Sequence, residues 1–337
     1  MSREPPPDLA DETITGALHA SFGIQVAELV FLPIGDDAAS WAFRVEASQG
    51  PTYFLKVRAG AGDTPGAAVP DYLHRHGVPH VLAPLPTNTA APHIRVDRFA
   101  LTLYPMIDGG TGTEVGMSPG HWRELGAVLK QVHTTPLTPD LTRIVGREPF
   151  LPTRREVVTR LAALLDAAVP DDPVARQLAA FWRARQGVID ALVDHADTMG
   201  RQLERSSAPH VLCHADLHTW NVLLDAEQRL WIVDWDEAIL APRERDLMFV
   251  VGGIGRDLVK PSDTACFFQG YGEATVDRRL LAYYRSAWAV QDIGAYGEQV
   301  FLSPGLGEET RRAAMDGFVE LFEPGNIVDL ASATGNG

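Results

Sequence analysis

Lysine is scarce in this 337-residue chain: of 29 basic side chains three are lysine, Lys56, Lys130 and Lys260, and the other 26 are arginine. A lysine inside an apolar strand pattern therefore asks for an explanation. Cysteine is scarcer still. Cys213 and Cys266 cannot make a disulfide framework and suit a reducing compartment. Long apolar runs are missing. The best, 247–254, has eight residues including two glycines, against the ~18 that a membrane helix needs. Positive charge is short as well, with 44 acids against 29 bases giving a formal −15. Such a chain repels phosphate backbones and anionic lipid, so neither nucleic acid nor membrane is an expected partner, whereas a cationic small molecule would be attracted. The same charge also serves plain solubility. The opening Met1–Asp8 has no apolar core of the kind a secretory signal carries, which leads us to expect a cytoplasmic protein, monomer or homodimer.

What is present reads as a large globular chain. Hydrophobic residues make up 45% and charged residues 22%, and the length exceeds one ~150-residue domain. A helix capped by Asp8 and running to about 22 precedes three strands at 26–34, 40–47 and 52–58, an antiparallel meander. A helix near 69–76 and strands at 92–96 and 99–104 follow. The glycine-rich Asp108–Thr113 reads as a linker. Beyond it, helical periodicity covers 119–134, 153–168, 173–205, 243–251, 262–270, 276–302 and 308–322, interrupted by short strands at 209–213, 222–224 and 229–234. The expected class is α+β: a small antiparallel β-sheet lobe, 1–107, and a larger, mainly helical lobe, 108–337.

The densest chemical signal is His214-Ala-Asp216-Leu-His218-Thr-Trp220-Asn221, followed by Asp234-Trp-Asp236-Glu237 at the end of an apolar strand. In this spacing one loop can aim a carboxylate and an amide into the same pocket. Asp216 could orient or accept a hydroxyl proton while Asn221 turns its carbonyl oxygen to a metal, and Asp234 would add the second hard oxygen that Mg²⁺ prefers. Together they describe phosphoryl transfer. A metal-dependent hydrolase built on His214, Asp216 and His218 is the competing reading, and it lacks further clustered ligands.

These segments resemble the aminoglycoside phosphotransferase family of the protein-kinase-like fold. Asp234-Trp-Asp-Glu-Ala-Ile-Leu-Ala-Pro-Arg-Glu-Arg-Asp246, Gly270-Tyr-Gly and Asp292-Ile-Gly-Ala-Tyr296 look like its spectinomycin phosphotransferases in particular. The resemblance runs from about Ile24 onward. It implies ATP, or GTP, with Mg²⁺, and a hydroxyl of spectinomycin or a related aminocyclitol as acceptor; another small hydroxylated metabolite is the alternative. It gives Lys56, on the third strand, to the nucleotide phosphates, and gives Asp216, Asn221 and Asp234 the roles named above. The 35–40 turn, ending in Ser40, falls where a loop would cover the nucleotide. Tyr104 to Ile107 fall where a hinge backbone would meet the base. The smaller lobe would thus hold the nucleotide and the larger one the acceptor. Asp246 would brace the catalytic loop from below. Protein kinases pair the strand lysine with a helix glutamate, but no glutamate lies between Lys56 and Arg98, and Asp63 is the better aligned of the acids that remain.

For the acceptor, Asp236 and Glu237 could meet a cationic aminocyclitol or could be solvated surface acids. Tyr284, Trp288 and Asp292 could line a pocket, although aromatics at helical spacing are commonly core. Trp220 stands where the family usually has glycine, so its bulk bears on the loop and the pocket size.

Overall fold

Alternating apolar positions in the first hundred residues give a sheet one continuous apolar face, and that face builds a core. In the computed structural model, which describes residues 8–35, 39–60, 63–167, 170–205, 207–303 and 305–334, helix α1 (Asp11–Phe22) packs under a five-stranded antiparallel sheet. Its strands are β1 (Val26–Leu32), β2 (Ser40–Ala47), β3 (Thr52–Ala59), β4 (Ile94–Val96) and β5 (Phe99–Pro105), in the order β1-β2-β3-β5-β4. Ile14 and Leu18 of α1 join Phe43, Val45, Leu55, Val57, Leu101 and Leu103 in one small core. Helix α1 is not capped by Asp8: the cap position is Ala10, and Asp8 instead pairs with Arg98.

Helix α2 (Pro65–Arg75) lies between β3 and β4 in sequence but not in the small core. Val69, Tyr72 and Leu73 belong to the second, much larger core, so packing does not divide the chain at a single peptide bond. The expected linker is also structured. Gly109–Thr111 forms β6, which pairs with β8 (Val222–Asp225), itself paired with β9 (Leu230–Ile232). The short helix α3 (Gly112–Val115) follows, closed by a capping box between Thr111 and Glu114. Gly109 suits the docking because a Cβ there would lie 2.0 Å from the Leu224 carbonyl oxygen.

The remaining helices are α4 (Pro119–Thr134), α5 (Pro139–Val145), α6 (Arg155–Ala167), α7 (Pro173–Leu203), α8 (Glu244–Leu247), α9 (Pro261–Tyr271), α10 (Arg278–Phe301), α11 (Glu308–Glu320) and α12 (Ile327–Thr334). Strand β7 (Val211–Cys213) pairs with β10 (Ile239–Ala241). The sequence expectations match most of these. They miss α3, α5, α12, β6 and β10, each eight residues or fewer and too short for a periodic signal. They also overextend α8, whose apparent continuation after Leu247 is a buried run of turns. Among the described residues no helix is long and apolar enough to cross a membrane.

Helices α4 and α9 approach so closely that glycine is required on both. A Cβ at Gly126 would lie 2.1 Å from the Phe267 carbonyl oxygen, and one at Gly270 would lie 1.8 Å from that of Arg123. Gly270→Ala should therefore force the helices apart at a cost of about 2 kcal/mol. A urea denaturation curve checks it, and a loss below about 0.5 kcal/mol would mean the contact yields freely.

Candidate active site

The loop between β7 and β8 carries the His-x-Asp motif, and its shape is set from beneath by one carboxylate. Asp246, fully buried on the four-residue α8, accepts from His214 N at 3.0 Å and from Ala215 N at 2.7 Å. His133 Nε2 lies 2.9 Å from its second oxygen, and the other His133 nitrogen lies 2.7 Å from the Tyr271 hydroxyl. Burial opposes ionisation of Asp246, but the His133 hydrogen bond and charge outweigh it, with His214 and the Ala215 amide adding, and hold the carboxyl below its ordinary range. This scaffold holds Ala215 at φ 70°, a left-handed conformation that a non-glycine residue adopts only when its surroundings insist. His214 is also buried, its Nε2 on the Val233 carbonyl and its Nδ1 accepting from Asp216 N. Both nitrogens are thus taken by main-chain groups, which leaves neither free to join Asp216 and His218 as a metal ligand and argues against the hydrolase reading.

Above this base Asp216 presents its carboxylate. Asn221, at the end of a single 3₁₀ turn (Thr219–Asn221), donates through Nδ2 to the Asp216 carbonyl at 2.8 Å and to Oδ2 at 3.0 Å. Oδ1 of Asp216 is buried and accepts no hydrogen bond among the described residues, although His218 Nε2 lies 3.2 Å away. The Asn221 carbonyl oxygen receives Val233 N at 3.0 Å, which fixes Asn221 beside the segment that ends in Asp234. Asp234, at φ 61° and half-exposed, offers its carboxylate to Lys56 Nζ at 3.0 Å. Desolvation works against its ionisation, but the Lys56 charge and hydrogen bond prevail and depress the carboxyl. Lys56, Asp216, Asn221 and Asp234 are thus brought together, Lys56 from the sheet and the others from the larger body. The side-chain amide oxygen of Asn221 and the carboxylate of Asp234 are the hard donors a Mg²⁺ ion takes, so the residues present fit that group.

Several expected contacts fall elsewhere. Asp63 is not the partner of Lys56: it is exposed and lies 3.8 Å from His93 Nε2. Asp236 faces the cations of β3. Its Oδ2 lies 2.8 Å from Lys56 Nζ and 2.6 Å from Arg58 Nη1. Tyr104 turns its hydroxyl to the Gly66 carbonyl at 2.9 Å, and burial pushes that phenol up, so its side chain is not offered to a nucleotide. Its backbone pairs with Phe54, and Ile107 follows just beyond β5, partly exposed. Ser40 is buried at the start of β2 opposite Arg58; the adjoining Asp36–Ala38 of the expected covering loop lie outside the described residues. Tyr284 and Trp288 are core residues, 1% and 7% exposed, with the Arg245 guanidinium over both rings at 5.7 and 5.5 Å. Trp220 is exposed and meets the His218 ring edge-on at 5.3 Å. Glu237 is exposed. Cys213 is buried, and desolvation raises its thiol.

Asp292 stands near this group. Desolvation first, then the negative charge of Asp216, pushes its carboxyl up to about 7, against relief from His218 and Trp288. Sequence reasoning missed Arg58, Gly66 and His133. A signal existed for Arg58, which shares a strand face with Lys56 two residues away; none existed for the other two.

A family model described as the phosphotransferase enzyme family matches residues 30–290. The chain belongs to that family. Among solved phosphotransferase structures, the spectinomycin phosphotransferase APH(9)-Ia in complex with ADP and spectinomycin superposes with a TM-score of 0.87 at 30% identity, covering 97% of this chain and 99% of the other. Protein StrN of Streptomyces griseus is 28% identical over 291 residues, 83% of this chain and 82% of its own length. An amicoumacin kinase in complex with AMP-PNP and Ca²⁺ shares the fold, with a TM-score of 0.62 at 17% identity over 95% and 93% of the two chains. The architecture is therefore the two-lobed, protein-kinase-like one of aminoglycoside phosphotransferases.

Two measurements test this geometry. Asp246→Ala leaves the two loop amides and His133 unpaired, and should cost about 3 kcal/mol or more of unfolding free energy in denaturant titration. A carboxyl at about 7 in the folded state and 3.8 when unfolded makes the native protein bind an extra proton between those values, so stability falls as pH rises through that window. Asp292→Asn should therefore melt higher than wild type above pH 7, with the gap closing near pH 4; parallel melting curves at both ends would expose the opposite trend.

Proposed function

We propose that this phosphotransferase moves the γ-phosphate of ATP to a hydroxyl of spectinomycin or a closely related aminocyclitol, in the cytoplasm, as a resistance or self-protection enzyme. The observation that carries the reading is the convergence of Lys56, Asp216, Asn221 and Asp234 on one cleft within a chain similar, over nearly its whole length, to a spectinomycin phosphotransferase. Residues 1–107 hold the nucleotide and residues 108–337 supply catalysis and the acceptor surface.

Asp216 receives the acceptor hydroxyl on its carboxylate and takes its proton as the phosphate transfers. Asn221, through its amide nitrogen, keeps that carboxylate aimed. Asn221 and Asp234 would hold Mg²⁺, which when bound neutralises phosphate charge. Lys56 lies within reach of Asp234 and steadies the α- and β-phosphates. Alignment and charge neutralisation supply the rate, because phosphoryl transfer asks little covalent chemistry of the protein. Asp292, beside Asp216, and Glu237 are the acids for a cationic acceptor. Trp220 offers an exposed aromatic face at the mouth. The formal −15 of the chain favours the approach of such a cation.

Incubation with ATP, Mg²⁺ and spectinomycin, streptomycin, kanamycin or hygromycin, followed by mass spectrometry, should show one added phosphate on spectinomycin. Asp216→Asn should lower kcat by about 10²–10⁴-fold with ADP affinity unchanged in calorimetry. Turnover like wild type in that variant would remove Asp216 from the mechanism.

A further inference from the structure

The strand lysine of this fold needs a carboxylate to hold it, and the helix that follows supplies none. The acid of α2 is Asp71, which pairs with Arg75 one turn on, and Asp63, just ahead of α2, faces His93. The lysine is held all the same. Asp236 reaches it from the opposite side of the cleft, its side chain 16% exposed, with Oδ2 shared between Lys56 Nζ at 2.8 Å and Arg58 Nη1 at 2.6 Å. Its other oxygen is accommodated by the start of α2. A Cβ at Gly66 would lie 1.8 Å from Asp236 Oδ1 and 3.0 Å from its Cγ, so any side chain there would occupy the space of the carboxylate. Gly66 is tied in turn to the sheet by the Tyr104 hydroxyl on its carbonyl at 2.9 Å.

We infer that Asp236 is the positioning residue for Lys56, standing where protein kinases use a helix glutamate, and that Gly66 is the gap in α2 that admits it. The inference rests on the reading of Lys56 as a phosphate-binding residue. It assigns Asp236 to the nucleotide side of the cleft, although its neighbour Glu237 and the acidity of the segment suggest an acceptor role. Two carboxylates share the lysine in this arrangement, and they differ in exposure. Asp234 is 49% exposed and can exchange the ammonium for another cation, while Asp236, clamped by Arg58, keeps it. Because Asp236 lies two residues after Asp234, the lysine is positioned by the same loop that carries the metal aspartate. No swing of a separate helix is then needed to align them.

The test separates the nucleotide side from the acceptor side. Asp236→Asn keeps size and loses charge; it should weaken ADP binding in calorimetry and lower kcat/KM for ATP, each about tenfold, while KM for spectinomycin stays within twofold. Asp236→Ala should behave alike. Combining it with Gly66→Asp returns a carboxylate from α2 to the vacated space, and should recover most of the lost ADP affinity, whereas Gly66→Asp alone should melt lower than wild type because two groups compete for one site. An ADP affinity within twofold of wild type in Asp236→Asn, a change confined to KM for spectinomycin, or a double variant no better than Asp236→Ala would each overturn the assignment. The calorimetry does not depend on the acceptor. Failure of wild type to phosphorylate any aminocyclitol would therefore count against the proposed function and leave the Asp236 result standing.

Discussion

A single buried carboxylate carries the loop that runs from His214 to Asn221. Asp246 sits in the large core with two main-chain amides and one histidine on its oxygens, and those amides belong to the residues just ahead of Asp216. A charged group without water must be fully hydrogen-bonded, so the loop has one conformation in which the carboxylate is satisfied. That conformation includes a left-handed alanine. The position of Asp216 and, through Asn221, of the Asp234 segment is thus a consequence of packing in the helical core, tens of residues away in sequence.

The cleft is assembled from both cores without either being continuous across it. The sheet contributes Lys56 and Arg58 from adjacent positions on one face of β3, and the larger body contributes Asp234 and Asp236, again two apart. The shared spacing makes a two-by-two pattern of opposite charges. In a partly buried setting such a pattern fixes register between the two parts more than it adds stability, since desolvation of each ion offsets much of the Coulomb gain.

Much of this was legible in the sequence, for identifiable reasons. Strand and helix periodicities gave β2 and α4 their bounds, because each presents one long apolar face. The His214-to-Asn221 spacing and Asp234 were readable because local geometry alone brings them together. Partnerships across the chain were not readable: Asp236 on Lys56 spans 180 positions, and the fit of Gly66 to that carboxylate depends on where α2 lands. The family resemblance aligns Asp63 with the partner of Lys56, but tertiary packing puts Asp63 on His93 and Asp236 on the lysine. Tyr284 and Trp288 looked available as pocket walls, because sequence does not reveal that Arg245 lies over their rings.

The segment expected to be a loose tether is pinned at both ends. Met106 N donates to the Thr52 carbonyl on the sheet side, and Ala226 N donates to the Asp108 carbonyl on the other, with β6 continuing into a ladder beside the strand that leaves Asn221. Between those two bonded residues lies Ile107 alone. The sheet and the larger body are thus joined by a short, hydrogen-bonded crossover here as well as by α2, which leaves the sheet to pack in the larger core.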